Sequence, residues 1–211
     1  MSYKLICFDM DGVIFKDINF WLKLHEAFGT LEQGKELTRK YLHTDYHKLV
    51  EEVVVKLWKG KDAQIYYDLV ESLQYNQGVA ETFAHAQNRG YLTAIISASS
   101  IEAARRVQQD YGVDHLFANE LIIRGGKVAG EFVWPIGAGK EKKAEIVRDL
   151  CSDLEISPDE TIYIGDGEAD IEAFKEVGLS IAFNSASEEL KKVATHVVNT
   201  SHLADVIKYI P

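Results

Sequence analysis

The side chains in this sequence best spaced to do chemistry begin at Asp9-Met10-Asp11-Gly12-Val13, where two carboxylates stand two residues apart just past the apolar run Leu5-Ile6-Cys7-Phe8. Gly12 permits a tight turn that keeps both near the end of that run. A carboxylate nucleophile can accept a phosphoryl group as an acyl phosphate. A second carboxyl beside it can protonate the leaving oxygen and later deprotonate water. Both displacements build negative charge near carboxylates, so cations are required. Gly165-Asp166-Gly167-Glu168-Ala169-Asp170 offers them a seat, because the glycines bend the chain and Asp166 and Asp170 add hard oxygen ligands suited to Mg²⁺. Lys140, Lys142 and Lys143 open a helical stretch ahead of this motif, and one ammonium reaching inward would offset repulsion between a phosphate and a carboxylate. Ser97, with the backbone N–H of Ala98, is placed to hold a phosphate oxygen.

The elements that must position these groups follow from periodicity. Leu5–Phe8, Leu92–Ile96, Thr161–Ile164 and Leu179–Phe183 are short, nearly continuous apolar runs, as expected of strands covered on both faces of a parallel sheet. Helical patterns lie between them, including Val79–Asn88 ahead of Gly90 and Glu102–Tyr111 ahead of Gly112, giving the alternation that βαβ units require. Three strands end in a polar group: Phe8 runs into Asp9, Ile96 into Ser97, and Ile164-Gly165 into Asp166. Ligands of open α/β sheets bind outside the carboxyl ends of the strands, so these three are expected to converge on one crevice. Residues 16–78 break the rhythm, being aromatic-rich and helical in pattern, and read as a cap inserted after the first strand into a core of residues 1–15 and 79–211. Leu121 to Val133 reads as a hairpin turning at Gly125-Gly126. The expected architecture is therefore a three-layer, Rossmann-like α/β core with a small helical cap.

Each signal also has a plainer reading. Asp9 and Asp11 fit a polar βα turn, Asp166 and Asp170 fit helix caps, and a lysine cluster fits a solvated helix face. An EF-hand is excluded because Gly12 is the fourth rather than the sixth loop residue and Phe20 stands where the bidentate Glu belongs. Gly139-Lys140 is no P-loop, since Glu141 replaces the Ser/Thr. His43 and His47 are four apart but lack the Glu of a zinc-protease helix, and are expected on a wet face. Cys7 reads as a buried thiol. Phe20, Trp21, Phe28, Tyr41, Tyr46 and Trp58 are expected to pack the cap, with Trp21 near enough in sequence to the catalytic strand to face the pocket.

Asp-x-Asp-Gly-Val, a strand ending in Ser, a Lys opening a helix and Gly-Asp-Gly-x-x-Asp, in that order, resemble the four motifs of the haloacid dehalogenase superfamily. The resemblance spans most of the chain. It is nearest to the phosphoserine phosphatase branch, through Asn88-Arg89-Gly90-Tyr91, Phe117-Ala118-Asn119-Glu120-Leu121 and Lys143-Ala144-Glu145-Ile146. It implies Asp9 as nucleophile, Asp11 as general acid and base, and Lys143 as the lysine of the site. It also implies Ser97 and Ala98 as phosphate contacts and a Mg²⁺ held by Asp9, the Asp11 carbonyl and Asp166, with Asp170 in support. Where that branch carries a cap-entrance Glu, this chain has Lys16-Asp17-Ile18; where it carries a cap Arg, this chain has Glu51-Glu52-Val53-Val54-Val55. Ser97-Ala98-Ser99 replaces a Ser followed by glycines. Phosphoserine is accordingly expected to be a mediocre substrate.

The whole chain sets the remaining bounds. With 211 residues, 46% hydrophobic, it has material for one sizeable core and a small accessory domain. Thirty-three acidic against 23 basic side chains give a formal charge of -10, which disfavours nucleic acid as a partner. Two cysteines give no disulfide framework, and no run is long enough for a membrane span, so a cytoplasmic protein acting on a small phosphorylated metabolite is expected. Rival expectations are a phosphotransferase or mutase using the same two aspartates, and a non-catalytic protein that binds a phosphate ligand; a dehalogenase has no use for an acid at Asp11.

Overall fold

Side-chain alternation along the central strands decides the layering. In Leu5–Phe8 (β1), Leu5 and Cys7 enter one apolar cluster while Ile6 and Phe8 enter another on the opposite face. All four residues are fully buried, as a continuous apolar run requires. The computed structural model describes residues 3–16 and 19–211. Its seven-stranded sheet contains β1, Leu92–Ser100 (β2), His115–Arg124 (β3), Lys127–Val133 (β4), Thr161–Gly165 (β5), Leu179–Phe183 (β6) and His196–Val198 (β7), in the order β4-β3-β2-β1-β5-β6-β7. Every neighbouring pair is parallel except β3 with β4.

Four helices follow β1 in the chain: Phe20–Ala27 (α1), Leu31–Tyr41 (α2), Tyr46–Val50 (α3) and Ala63–Ser72 (α4). Helix α3 continues into a π-helical stretch, Glu51–Trp58, which ends with the Lys59 N–H bonded to the Val54 carbonyl five residues back at 3.0 Å. Its wide turn buries Val53, Val54 and Trp58 together. Val79–Asn88 (α5) and Ile101–Tyr111 (α6) supply Phe83, Ala86, Ala104 and Val107 to the cluster containing Phe8. Glu141–Asp153 (α7) and Ile171–Glu176 (α8) supply Val147, Leu150 and Phe174 to the cluster containing Cys7. Helices on both faces of the sheet make the three layers; Glu188–Val193 (α9) precedes β7.

Two strands depart from expectation. The hairpin strand begins at His115 rather than Leu121, because its first half pairs in parallel with β2 before its second half turns back on β4. Strand β2 runs on to Ser100 instead of stopping at Ile96. Its register with β3 jumps from Ser97↔Ala118 to Ser100↔Asn119, leaving Ala98 and Ser99 as a bulge at the sheet's end. The hairpin also pairs with the helical segment: Gly60 N–H donates to Val128 O at 2.9 Å and Val128 N–H to Lys61 O at 3.0 Å. Among the described residues no helix is long and apolar enough to cross a membrane.

Candidate active site

Register brings the polar strand ends to one level. Phe8 pairs with Ile95 on one side and Ile164 on the other, so Asp9 lies beside Ile96 and Gly165, with Ser97 and Asp166 one step beyond. Asp9 continues the ladder through its N–H, which donates to Ile164 O at 2.9 Å. Gly12 then turns the chain at φ +83°. A Cβ on Gly12 would stand 2.1 Å from Asp166 Oδ2, so the glycine serves the approach of a distant carboxylate as well as the turn.

Lys143 is 1% exposed, and its ammonium bonds Asp9 Oδ2 at 2.8 Å and Asp170 Oδ1 at 2.7 Å. Burial opposes its charged form, but Asp170 and Asp9 outweigh that and hold it above the ordinary lysine value. Lys142 is exposed and pairs with Glu145, and Lys140 is exposed, so one lysine of the three reaches the interior. Lys140 caps α7 at φ +55°, with its N–H bonded to Ala169 O at 3.1 Å. That bond ties the start of α7 to the Glu168–Asp170 turn and so fixes where Lys143 meets Asp170.

Asp170 is fully buried, and both of its oxygens are committed. Oδ1 accepts from Lys143 and from the Tyr163 hydroxyl at 3.2 Å, and Oδ2 accepts from the N–H groups of Asp166 at 3.2 Å and Gly167 at 3.1 Å. It therefore shapes the loop that presents Asp166. One carboxylate oxygen from each of Asp9, Asp166 and Asp170 lies within 4.8 Å of the others. Burial, then Asp9 and Asp170, push the Asp166 carboxyl well above the usual range. Three carboxylates against one ammonium leave negative charge unbalanced, and the donors are all hard oxygen. The cluster fits a divalent cation, which Asp9 and Asp166 would hold with Asp170 behind them.

Asp11 sits at the entrance to the helical segment. Its Oδ2 accepts from the Phe20 N–H at 3.3 Å, while Oδ1 is buried with no hydrogen-bond partner among the described residues. Burial, with Asp9 beside it, pushes the carboxyl up to about 7, so near neutrality it can both give and take a proton. Ser97 is 2% exposed, and the Ser99 hydroxyl is a second buried polar atom with no partner among the described residues. The bulge carrying them is pinned from two sides. Asn119 Nδ2 donates to Ala98 O at 2.9 Å and Gly137 O at 3.0 Å, and the indole N–H of Trp21 donates to the same Ala98 O at 2.8 Å. Trp21 thus lies against the strand-end loop.

Sequence reasoning named Asn119 and Tyr163 only as parts of longer stretches. Asn119 is fully buried and joins the bulge to the loop before α7, a tie invisible without the fold. Tyr163 carried one usable signal, a hydroxyl in an otherwise apolar strand. His43 and His47 are both exposed, as expected, and Cys7 and Cys151 are buried free thiols. The Lys16-Asp17-Ile18 departure falls in part on Asp17 and Ile18, which lie outside the described residues. Val53 and Val54, the cap-Arg departure, are 5% and 2% exposed, facing inward, while Glu51 and Glu52 pair with Lys48 and Lys56.

The description haloacid dehalogenase-like hydrolase belongs to a family model matching residues 3–178. The chain belongs to that family. The phosphoserine phosphatase of Methanocaldococcus jannaschii is 29% identical over 209 residues, 98% of this chain and 97% of the relative. That of Albidiferax ferrireducens is 30% identical over 201 residues, 92% of this chain and 84% of the relative. A solved phospho-aspartyl intermediate analogue of phosphoserine phosphatase aligns with a TM-score of 0.85 at 27% identity, covering 100% of both chains. The chain is thus a hydrolase whose near relatives over its whole length are phosphatases.

Proposed function

We propose that this protein is a Mg²⁺-dependent phosphatase that hydrolyses a small phosphate monoester through an aspartyl-phosphate on Asp9. Residues 1–15 and 79–211 form its catalytic core and residues 16–78 its cap. The observation that carries the reading is the shared position of Asp9 and Asp166, with Lys143 bonded to Asp9 from behind.

An Asp9 oxygen attacks phosphorus as the bond to the ester oxygen breaks, and Asp11 gives its proton to that departing oxygen. Water then attacks the aspartyl-phosphate, Asp11 takes a proton from it, and the bond between phosphorus and Asp9 breaks to release phosphate. The near-neutral Asp11 carboxyl suits both directions. Lys143, held between Asp9 and Asp170, orients the nucleophile and faces the incoming negative charge. Ser97 Oγ and the Ala98 N–H are assigned to a phosphate oxygen, on a bulge that Asn119 keeps rigid. Asp9, the Asp11 main-chain carbonyl and Asp166 would hold Mg²⁺, and bound metal supplies the positive charge that lets a phosphate dianion approach a carboxylate.

Phosphate release from a panel of monoesters tests this. Release should vanish with a chelator and return with Mg²⁺, and Asp9→Asn should lower kcat by roughly 10⁴-fold or more. Turnover that survives either change would overturn the reading.

A further inference from the structure

The helical segment and β4 line a cavity of about 120 Å³, and among the described residues its lining carries no Asp, Glu, Lys or Arg. Its wall includes Leu42, Val53, Val54, Trp58 and Phe132. Two residues of its wall tie the cavity to the candidate active site. Trp21 lines it while its indole N–H rests on Ala98 O, beside Ser97. Asn19 lines it and directly precedes Phe20, whose N–H holds Asp11.

We propose that this cavity receives the leaving group of the substrate, and that the leaving group is an apolar alcohol of single-ring or short branched-alkyl size. The proposal rests on the phosphatase reading above. Several polar atoms in the lining are committed elsewhere: Asn19 Oδ1 accepts from Leu22 N–H at 3.1 Å, and His25 Nδ1 pairs with Thr30 Oγ1 at 2.8 Å and Trp58 Nε1 at 3.2 Å. Burial depresses His25 to about 4, so the imidazole brings no positive charge at neutral pH. An amino-acid ester would place an ammonium and a carboxylate in this space with no charged partner among the described residues, which buried charges do not tolerate. An apolar group instead gains roughly fourfold in affinity per buried methylene. An apolar protein cavity of about 150 Å³ is known to take benzene, so the size suits one ring or a chain of about five carbons.

The test is phosphate release, with Mg²⁺, from isopentyl phosphate, benzyl phosphate and phosphoserine, alcohol esters whose leaving groups are similarly poor, with acetyl phosphate as a probe of the core chemistry that does not fill the cavity. The expected result is kcat/KM at least tenfold higher for the isopentyl or benzyl ester than for phosphoserine. Acetyl phosphate turnover combined with a preference for phosphoserine would overturn this inference alone. No release from any of the four, acetyl phosphate included, would overturn the phosphatase reading and this inference with it. Val54→Arg should then shift the ratio toward phosphoserine. If that variant does not fold, Val53→Ala, which only enlarges the space, should shift preference from isopentyl toward benzyl phosphate; an unmoved ratio would count against the cavity as the seat of the leaving group.

Discussion

The candidate active site and the cavity of the helical segment share Trp21, yet one gathers charge and the other excludes it. Around Asp9, the buried carboxylates of Asp9 and Asp170 are tolerated because Lys143 meets both and the backbone N–H groups of Asp166 and Gly167 meet Asp170, with half-buried Asp166 completing a place for a cation. In the cavity no countercharge stands among the described residues, and His25 is kept neutral by burial, with Thr30 and Trp58 bonded to its ring. Gly34 presses on that imidazole, since a Cβ there would stand 2.4 Å from its ring. Buried ionisable groups therefore stay charged only where partners are built around them.

Breaking the charged side of this comparison should have the largest effect. Lys143→Met leaves Asp9 and Asp170 buried without their shared cation, and should cost about 3–5 kcal/mol of stability. Urea unfolding would measure it, and a loss under about 1 kcal/mol would mean that solvent or metal already satisfies those carboxylates.

Gly12→Ala probes whether the site needs its close approach. The new methyl must displace Asp166 and strain the turn at φ +83°, so kcat should fall by roughly 10²-fold while the fold persists by circular dichroism. Unaltered kcat would show that Asp166 can move without consequence.

The neutral side predicts a smaller, pH-dependent effect. The His25 pKa is depressed on folding from 6.5 to about 4, so the unfolded chain binds the extra proton between those values. Stability contributed by keeping the ring neutral is fully present above pH 6.5 and is lost as pH falls toward 4. From pH 7 to pH 5 the loss should be about 2 kcal/mol, and His25→Gln should remove that part of the slope. A variant with the wild-type slope would place the titrating group elsewhere.

Much of the candidate site could be read from residue order. Asp9, Asp11, Ser97 and Asp166 each follow an apolar strand, and strand ends in a parallel sheet meet at one edge, so local pattern plus topology predicts their convergence. Periodicity also located α5 to the residue, with Gly90 after it breaking the pattern. The extension of β2 was not legible, since small and polar residues in a bulge carry no alternation; here Ala98 and Ser99 pair with nothing on β3. Nor could the buttressing of Ala98 by Asn119 and Trp21 be read, because those contacts cross 21 and 77 positions of chain.

By itself the sequence determined the layered α/β core, the aspartate pair and the acidic loop, since each depends on short-range pattern and on the rule that strand ends converge. Only the tertiary structure decided what the Asp170 oxygens do, how Asn119 and Trp21 hold Ala98 and that the helical segment and β4 line a cavity without charged groups among the described residues. Those depend on distances between segments remote in the chain, and neither hydrophobic period nor motif spacing encodes such distances.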